Sequence, residues 1–291
     1  MAAHPQSTLQ VTELTGRGLL RVSGPSARSF LQGLITNDVE RVNETSPVYA
    51  GLLTPQGKFL HDFLVVEIGD ALVLDLEAER LQDLLRRLTM YRLRAAVDIA
   101  DVSEEFAIFA VFGGEMNGLE GQLPGTSIRD PRSAALGYRL YCAASQRDDV
   151  HALDARIVGP EAYDALRVAA GVPDGSRDIP VEKAFPLEYG FDSLGAVSYE
   201  KGCYVGQELT ARTHNRGKVK KALYRLRFDA NPPAIGTVIR SGEVEVGELL
   251  TSAGEYGLAH LRIDAVEANQ RLHAGTASIV EHVRAPVAPR T

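Results

Sequence analysis

The hydrophobic pattern changes character at Val219, and that change limits the fold more than any other feature of the chain. Before it, short strands and helices alternate. After it, the chain reads as strands broken by Gly and Pro, down to a Pro-rich tail at 285–291. A chain so divided folds as an α+β protein with a small all-β module at its C-terminus. Its 291 residues exceed what one small core organises and call for two or three structural units.

The elements before Val219 are legible one by one. GLLRVS at 18–23 predicts a short strand. Gly24-Pro25 then opens a helix whose apolar residues Phe30, Leu31, Leu34 and Ile35 keep helical spacing, closed at Asn37-Asp38. FLVVEIGDALVLDLE predicts two strands joined at Gly69-Asp70. Leu81, Leu84, Leu85 and Leu88 form an i, i+3, i+4, i+7 stripe, an amphipathic helix over 78–91 with Arg86 and Arg87 facing elsewhere. FAIFAVF at 106–112 and YRLYCA at 138–143 read as strands, the second placing Cys142 in the core. Pro160 and Gly171 bracket a helix over 161–170. GGEMNGLEGQLPG at 113–125 predicts a loop between units.

Charge and cysteine content exclude several functions. A formal charge of -7 argues against general nucleic-acid binding, which requires a broad basic excess. No apolar run approaches the roughly 18 residues that span a bilayer. The N-terminus MAAHPQSTLQ has neither a positive n-region nor an apolar core, which predicts a cytoplasmic protein. The two cysteines, Cys142 and Cys203, cannot build a disulfide framework and do not stand at zinc-ligand spacing. They also fall short of the four or so thiolates a [4Fe–4S] centre takes. No stably bound metal is expected.

Against this acidic background, Lys201, Arg212, Arg216, Lys218, Lys220 and Lys221 crowd into one segment with His214, opposed only by Glu208. Such a concentration suits an anion, or else a solvated cationic strand face. The segment begins KGCYVGQE at 201–208, where Gly202 and Gly206 bracket Cys203 and permit φ > 0 or close approach. Cys203 has three readings. It is a nucleophile activated by Lys201, Arg212 or His214, a transient soft ligand for a metal or cluster shared with a partner, or a small packed side chain.

The KGCYxGQE string resembles the signature of the YgfZ-type folate-binding proteins of iron–sulfur cluster maturation, and the continuation ELTARTH is most similar to their mitochondrial-type relatives. FLQGLITNDV at 30–39, LLTPQGKFLHDFLV at 52–65, YRLR at 91–94 and FPLEYGFDSLGAVSYEKGC at 185–203 agree with it. The resemblance runs over roughly residues 10 to 270. It implies an aminomethyltransferase-like (glycine cleavage T-protein) fold around a central folate opening, with a C-terminal β-barrel. The implied domains are 1–48 with 113–215 for folate, an inserted ferredoxin-like domain at 49–112, and the barrel at 216–291.

The implied function is that of an accessory protein. It would hold tetrahydrofolate and use Cys203 to assemble, insert or repair clusters on client enzymes. The alternative is a folate-dependent aminomethyl or one-carbon transferase. Glu188 is the candidate for the pterin, whose N–H edge a carboxylate accepts in a bidentate pair; a helix-cap or surface carboxylate is the competing reading. Lys201, Gly202, Tyr204, Gln207 and Arg212 are implied around the cofactor. Tyr91 and Arg94 add a stacking face and a cation, although arginines at a helix C-terminus are favourable in any case. Two departures weaken the transferase reading: His61-Asp62 stands where those enzymes carry paired aspartates, and Gln207 stands where they often carry arginine. The expected partners are folate and iron–sulfur client or assembly proteins, with no nucleic acid and no membrane. The chain is expected to be a monomer or weak dimer in a bacterial cytoplasm.

Overall fold

The computed structural model describes residues 9–114, 123–151, 153–217, 219–268 and 271–287. The chain divides into two compact units, Met1–Gly33, Asp38–Ala50 and Phe63–Tyr163 in the first, and Leu34–Asn37, Gly51–Asp62 and Asp164–Thr291 in the second.

Two five-stranded sheets lie largely in the first unit. One runs in the spatial order Arg156–Ile157, Leu9–Glu13, Phe106–Gly113, Tyr138–Ala143, Thr126–Arg129. Its central strand is FAIFAVF, buried from Ala107 to Phe112, which is why that run is apolar throughout rather than alternating. Cys142 lies here, packed with Phe109, Val111 and Leu140. The other sheet runs Val48–Leu53, Phe59–Ile68, Ala71–Glu77, Arg17–Ser23, Asp98–Asp101. Phe59–Ile68 and Ala71–Glu77 pair antiparallel about Gly69, whose φ of 60° makes the turn the sequence marks. Helix Leu81–Arg92 buries Leu81, Leu84 and Leu88 of the expected stripe. Most of the loop expected at 113–125 (residues 115–122) lies outside the described residues.

A buried ionic network joins these two sheets, and the sequence reading did not foresee it. Asp75 takes hydrogen bonds from Arg17 Nε (2.6 Å), Arg139 Nη1 (3.0 Å) and the Tyr141 hydroxyl (2.9 Å). Asp130 takes them from Arg132 Nη2 (2.6 Å) and the Tyr163 hydroxyl (3.2 Å). Burial alone pushes both carboxyls up. The neighbouring guanidinium groups outweigh it and hold both below the usual carboxylate range.

The second unit carries a closed six-stranded barrel, in the order Lys221–Phe228, Tyr256–Arg262, Val244–Ala253, Val238–Ser241, Leu272–Ala274, Ala277–Arg284. Closure leaves no sheet edge, and Leu226, Phe228, Ile239, Leu249 and Leu261 fill its interior. Helix Pro160–Ala170 ends at Gly171, φ 75°, as its brackets require.

Three expectations are corrected. The first helix is only Ala27–Gln32, because Gly33 ends it. Leu34 and Ile35 then leave helical geometry, and Ile35 bridges Leu52 antiparallel. The cationic segment is not a strand before 221: Gln207–Arg216 is a helix, closed by Gly217 in the left-handed region. The C-terminal module is not strands alone, since Ile263–Glu267 is a short helix after the strand Tyr256–Arg262.

Candidate functional site

The KGCYVGQE loop is held from below by two of the other singled-out segments. Lys201 is buried, and its ammonium donates to the carbonyls of Ile35 (2.8 Å) and Asn37 (2.7 Å). Thr36 Oγ1 donates to Ala196 O (2.6 Å), and Asn37 Nδ2 donates to Gly195 O (2.7 Å). The Ile-Thr-Asn triplet of FLQGLITNDV thus clamps the approach to Cys203. On the far side, Gly206 sits at φ 84° against the turn of LLTPQGK: a Cβ there would stand 2.5 Å from Thr54 O. Only glycine allows both the angle and the approach. Gly202, by contrast, has open space around it and no positive φ.

Between these anchors Cys203 is exposed, with its thiol free. Tyr204 turns inward, and burial pushes its hydroxyl up to about 12, with a hydrogen bond to Thr210 opposing. Tyr204 and Gln207 exchange hydrogen bonds, Gln207 N to Tyr204 O (3.2 Å) and Tyr204 N to Gln207 Oε1 (3.3 Å), which start the helix. Arg212 is exposed on that helix. Lys218 and the side chain of Arg216 lie outside the described residues. Cys142 differs in kind: it is buried, its Sγ lies 3.7 Å from Ala107 O, and burial raises its pKa against the pull of Arg147.

Glu188 stands in the short 3-10 turn Pro186–Tyr189 and opens on a cleft of about 390 Å³ bordered also by Leu187, Asp192, His214, Leu223 and Arg284. Its Oε2 lies 3.3 Å from His260 Nε2, and Tyr189 stacks on His260 with ring centroids 4.6 Å apart. Across the cleft, His214 stacks on Tyr199 at 3.8 Å, and its Nδ1 lies 3.4 Å from Asp192 Oδ2. Burial raises the Tyr199 hydroxyl, and Asp192 raises it further. The sequence reading missed His260 and Asp192. The Asp192 signal was available in the quoted FDSLGAV, whereas nothing local marks His260.

Tyr91, Arg92 and Arg94 belong to the first unit, at the exposed end of helix Leu81–Arg92. His61 and Asp62 are both buried. Among the described residues, no group of three or more His, Cys, Asp or Glu side chains is placed to hold a metal ion. For a folate, the donor chemistry fits at one point. Glu188 is about one-fifth exposed, a carboxylate acceptor facing a cleft of mixed lining, with Asp192, Thr213, His214 and Arg284 beside Leu187, Val219 and Leu223, and it suits a planar edge of N–H donors. Lys201 and Tyr204 do not fit that role, because both point into the loop's own packing.

Comparison with known proteins agrees with this architecture. A model of the GCVT N-terminal domain matches residues 3–119, and one of the CAF17 C-terminal beta-barrel domain matches 220–289. The crystal structure of the glycine cleavage system aminomethyltransferase T from Bartonella henselae superposes with a TM-score of 0.76 over 94% of this chain and 84% of that one. At 14% identity the likeness is one of fold, and the fold is T-protein-like. The mitochondrial iron–sulfur cluster assembly factor IBA57 of Mus musculus is 33% identical, over 92% of this chain and 81% of that protein. The Homo sapiens protein of the same name is 32% identical, over 90% and 80%. A homologue in Mycosarcoma maydis is 34% identical over 78% of this chain and 60% of its own length. All three are mitochondrial by name, which overturns the bacterial cytoplasmic setting expected above. The N-terminal composition that suggested it carries no comparable weight.

Proposed function

The chain belongs to the IBA57 family of iron–sulfur cluster assembly factors, and from that premise we propose that it acts in cluster assembly on client proteins through the Cys203 thiol. The observation that carries the reading is the contrast between its two cysteines. Cys203 is exposed on a loop pinned at both ends, while Cys142 is buried in a strand. A pinned loop offers sulfur to an incoming iron without paying to order the chain at that moment. Cys203 supplies one thiolate, releasing its proton to solvent on binding. With no group of three or more His, Cys, Asp or Glu side chains placed to hold a metal among the described residues, the other ligands come from the partner that delivers or receives the cluster.

A tetrahydrofolate-type cofactor, as in the YgfZ-type proteins, is the second part of the proposal. Glu188 accepts the pterin edge in its cleft, and the cofactor supplies one-carbon or redox chemistry when bound. Aminomethyl transfer is the weaker reading, since His61 and Asp62 are buried in place of a carboxylate pair open to substrate.

The test is complementation of cells lacking the endogenous factor. Cys203→Ser is expected to leave cluster enzymes inactive, and Cys142→Ser to restore them. Full restoration by Cys203→Ser would end the cysteine's role. Separately, Glu188→Ala is expected to weaken tetrahydrofolate binding by more than about 1 kcal/mol.

A further inference from the structure

The cleft at Glu188 does not stand alone. A second hollow, of about 630 Å³, is bordered by Lys220, Lys221, Arg262 and Asp264, and the two share Val219, Ile263 and Glu267 as a common wall. One furrow therefore runs along the second unit from a carboxylate end to a cationic end. Its middle is walled by aliphatic side chains, Val219 and Ile263. Arg262 is already paired with Asp264 at 2.7 Å. Lys220 and Lys221 are exposed, and among the described residues neither has an ion-pair partner. Two such lysines in a chain of net charge -7 give this end of the furrow cations to spare beside Asp264 and Glu267, while Arg284 borders the other end.

A ligand matched to the furrow carries a flat hydrogen-bond-donating head, an apolar middle and several anionic groups at its far end. We propose that the furrow binds a polyglutamylated folate, its pterin at Glu188 and its glutamate tail at Lys220 and Lys221. This rests on the folate reading above and adds to it which form of the cofactor is selected. Each added glutamate brings one more carboxylate to the lysines, whose flexible stems hold charge without fixing geometry. Glu267, on the shared wall, opposes the tail and sets a limit on the gain.

The experiment is a calorimetric titration of the full chain at low salt with tetrahydrofolate bearing one or five glutamates. Wild type is expected to bind the pentaglutamate roughly tenfold more tightly, the sum of two exposed ion pairs of modest strength. Lys220→Ala with Lys221→Ala should erase that gain, lowering pentaglutamate affinity by more than monoglutamate affinity, since the monoglutamate brings only one residue's carboxylates to the lysines. Glu267→Gln should enlarge the gain, and raised salt should shrink it. Both lysines are exposed, and circular dichroism checks that the double variant folds. Equal wild-type affinity for the two forms, or a gain that survives loss of both lysines, overturns the tail site and leaves the folate reading standing. Failure of wild type to bind either form overturns both.

Discussion

Lys201 illustrates how a residue chosen for one role is used in another. Its nearness in sequence to Cys203 suggests a cation that activates the thiol. In the fold its ammonium satisfies two buried carbonyls, Ile35 and Asn37, and cannot turn outward without leaving them bare. Lys201→Met should therefore destabilise the protein by about 3 kcal/mol in urea unfolding, from the loss of charged hydrogen bonds. A variant of wild-type stability would show the ammonium to be free. The two cysteines make a second residue-scale prediction. In the native protein a thiol reagent should modify one cysteine per chain, and none in Cys203→Ser. Cys142 should react only on unfolding, because its burial disfavours the thiolate. Fast modification of Cys142 in the folded chain would contradict the contrast on which the proposed function stands.

At the scale of elements, the loop and helix at 201–216 depend on Gly206. It combines a left-handed backbone with contact on the turn at 54–57, so Gly206→Ala meets backbone strain and a carbonyl oxygen together. The strain alone costs about 1–3 kcal/mol, and the loop must shift to relieve the contact. The expected outcome is a lowered melting temperature together with changed thiol reactivity at Cys203. Gly202→Ala, in open space, should alter neither. The helix itself was hidden in the sequence by its composition. ELTARTHNR has no apolar stripe, so its charges suggest a solvated strand. What fixes it as a helix is its two ends, Gly206 with the Tyr204–Gln207 exchange at one and Gly217 at the other.

At the scale of the molecule, each unit has its own source of stability. The barrel closes on an apolar interior, the second unit also buries the Arg167–Asp178 pair, and the first unit buries a larger set of charges between its sheets. Asp75 and Asp130 have folded pKa values below their unfolded ones, so their contribution is fully present above the unfolded value of about 3.9. It is lost as pH falls below that value through the folded ones. Asp130→Asn leaves Arg132 and Arg139 short of a buried countercharge and should cost about 3–5 kcal/mol at pH 7. Followed by acid titration of unfolding, the gap between wild type and variant should narrow only below about pH 4. A gap that closes between pH 7 and 5 would rule out the depressed carboxyls.

The division at Val219, the stripe of Leu81, Leu84 and Leu88, the turn at Gly69 and the buried strands were legible because each follows from a local period of side chains or a local turn. The KGCYVGQE loop was legible as a candidate site for a similar reason, its glycines and cysteine being neighbours in the chain. What no stretch of sequence contains is a partner distant along it. That Lys201 meets Ile35 and Asn37, that Glu188 faces His260, and that Asp75 gathers Arg17, Arg139 and Tyr141 are all results of chain return. Hydrophobic periodicity is set residue by residue, but a charge buried at a strand position looks, in sequence, like one exposed there. Only the tertiary structure, by removing water from around it, decides which it is.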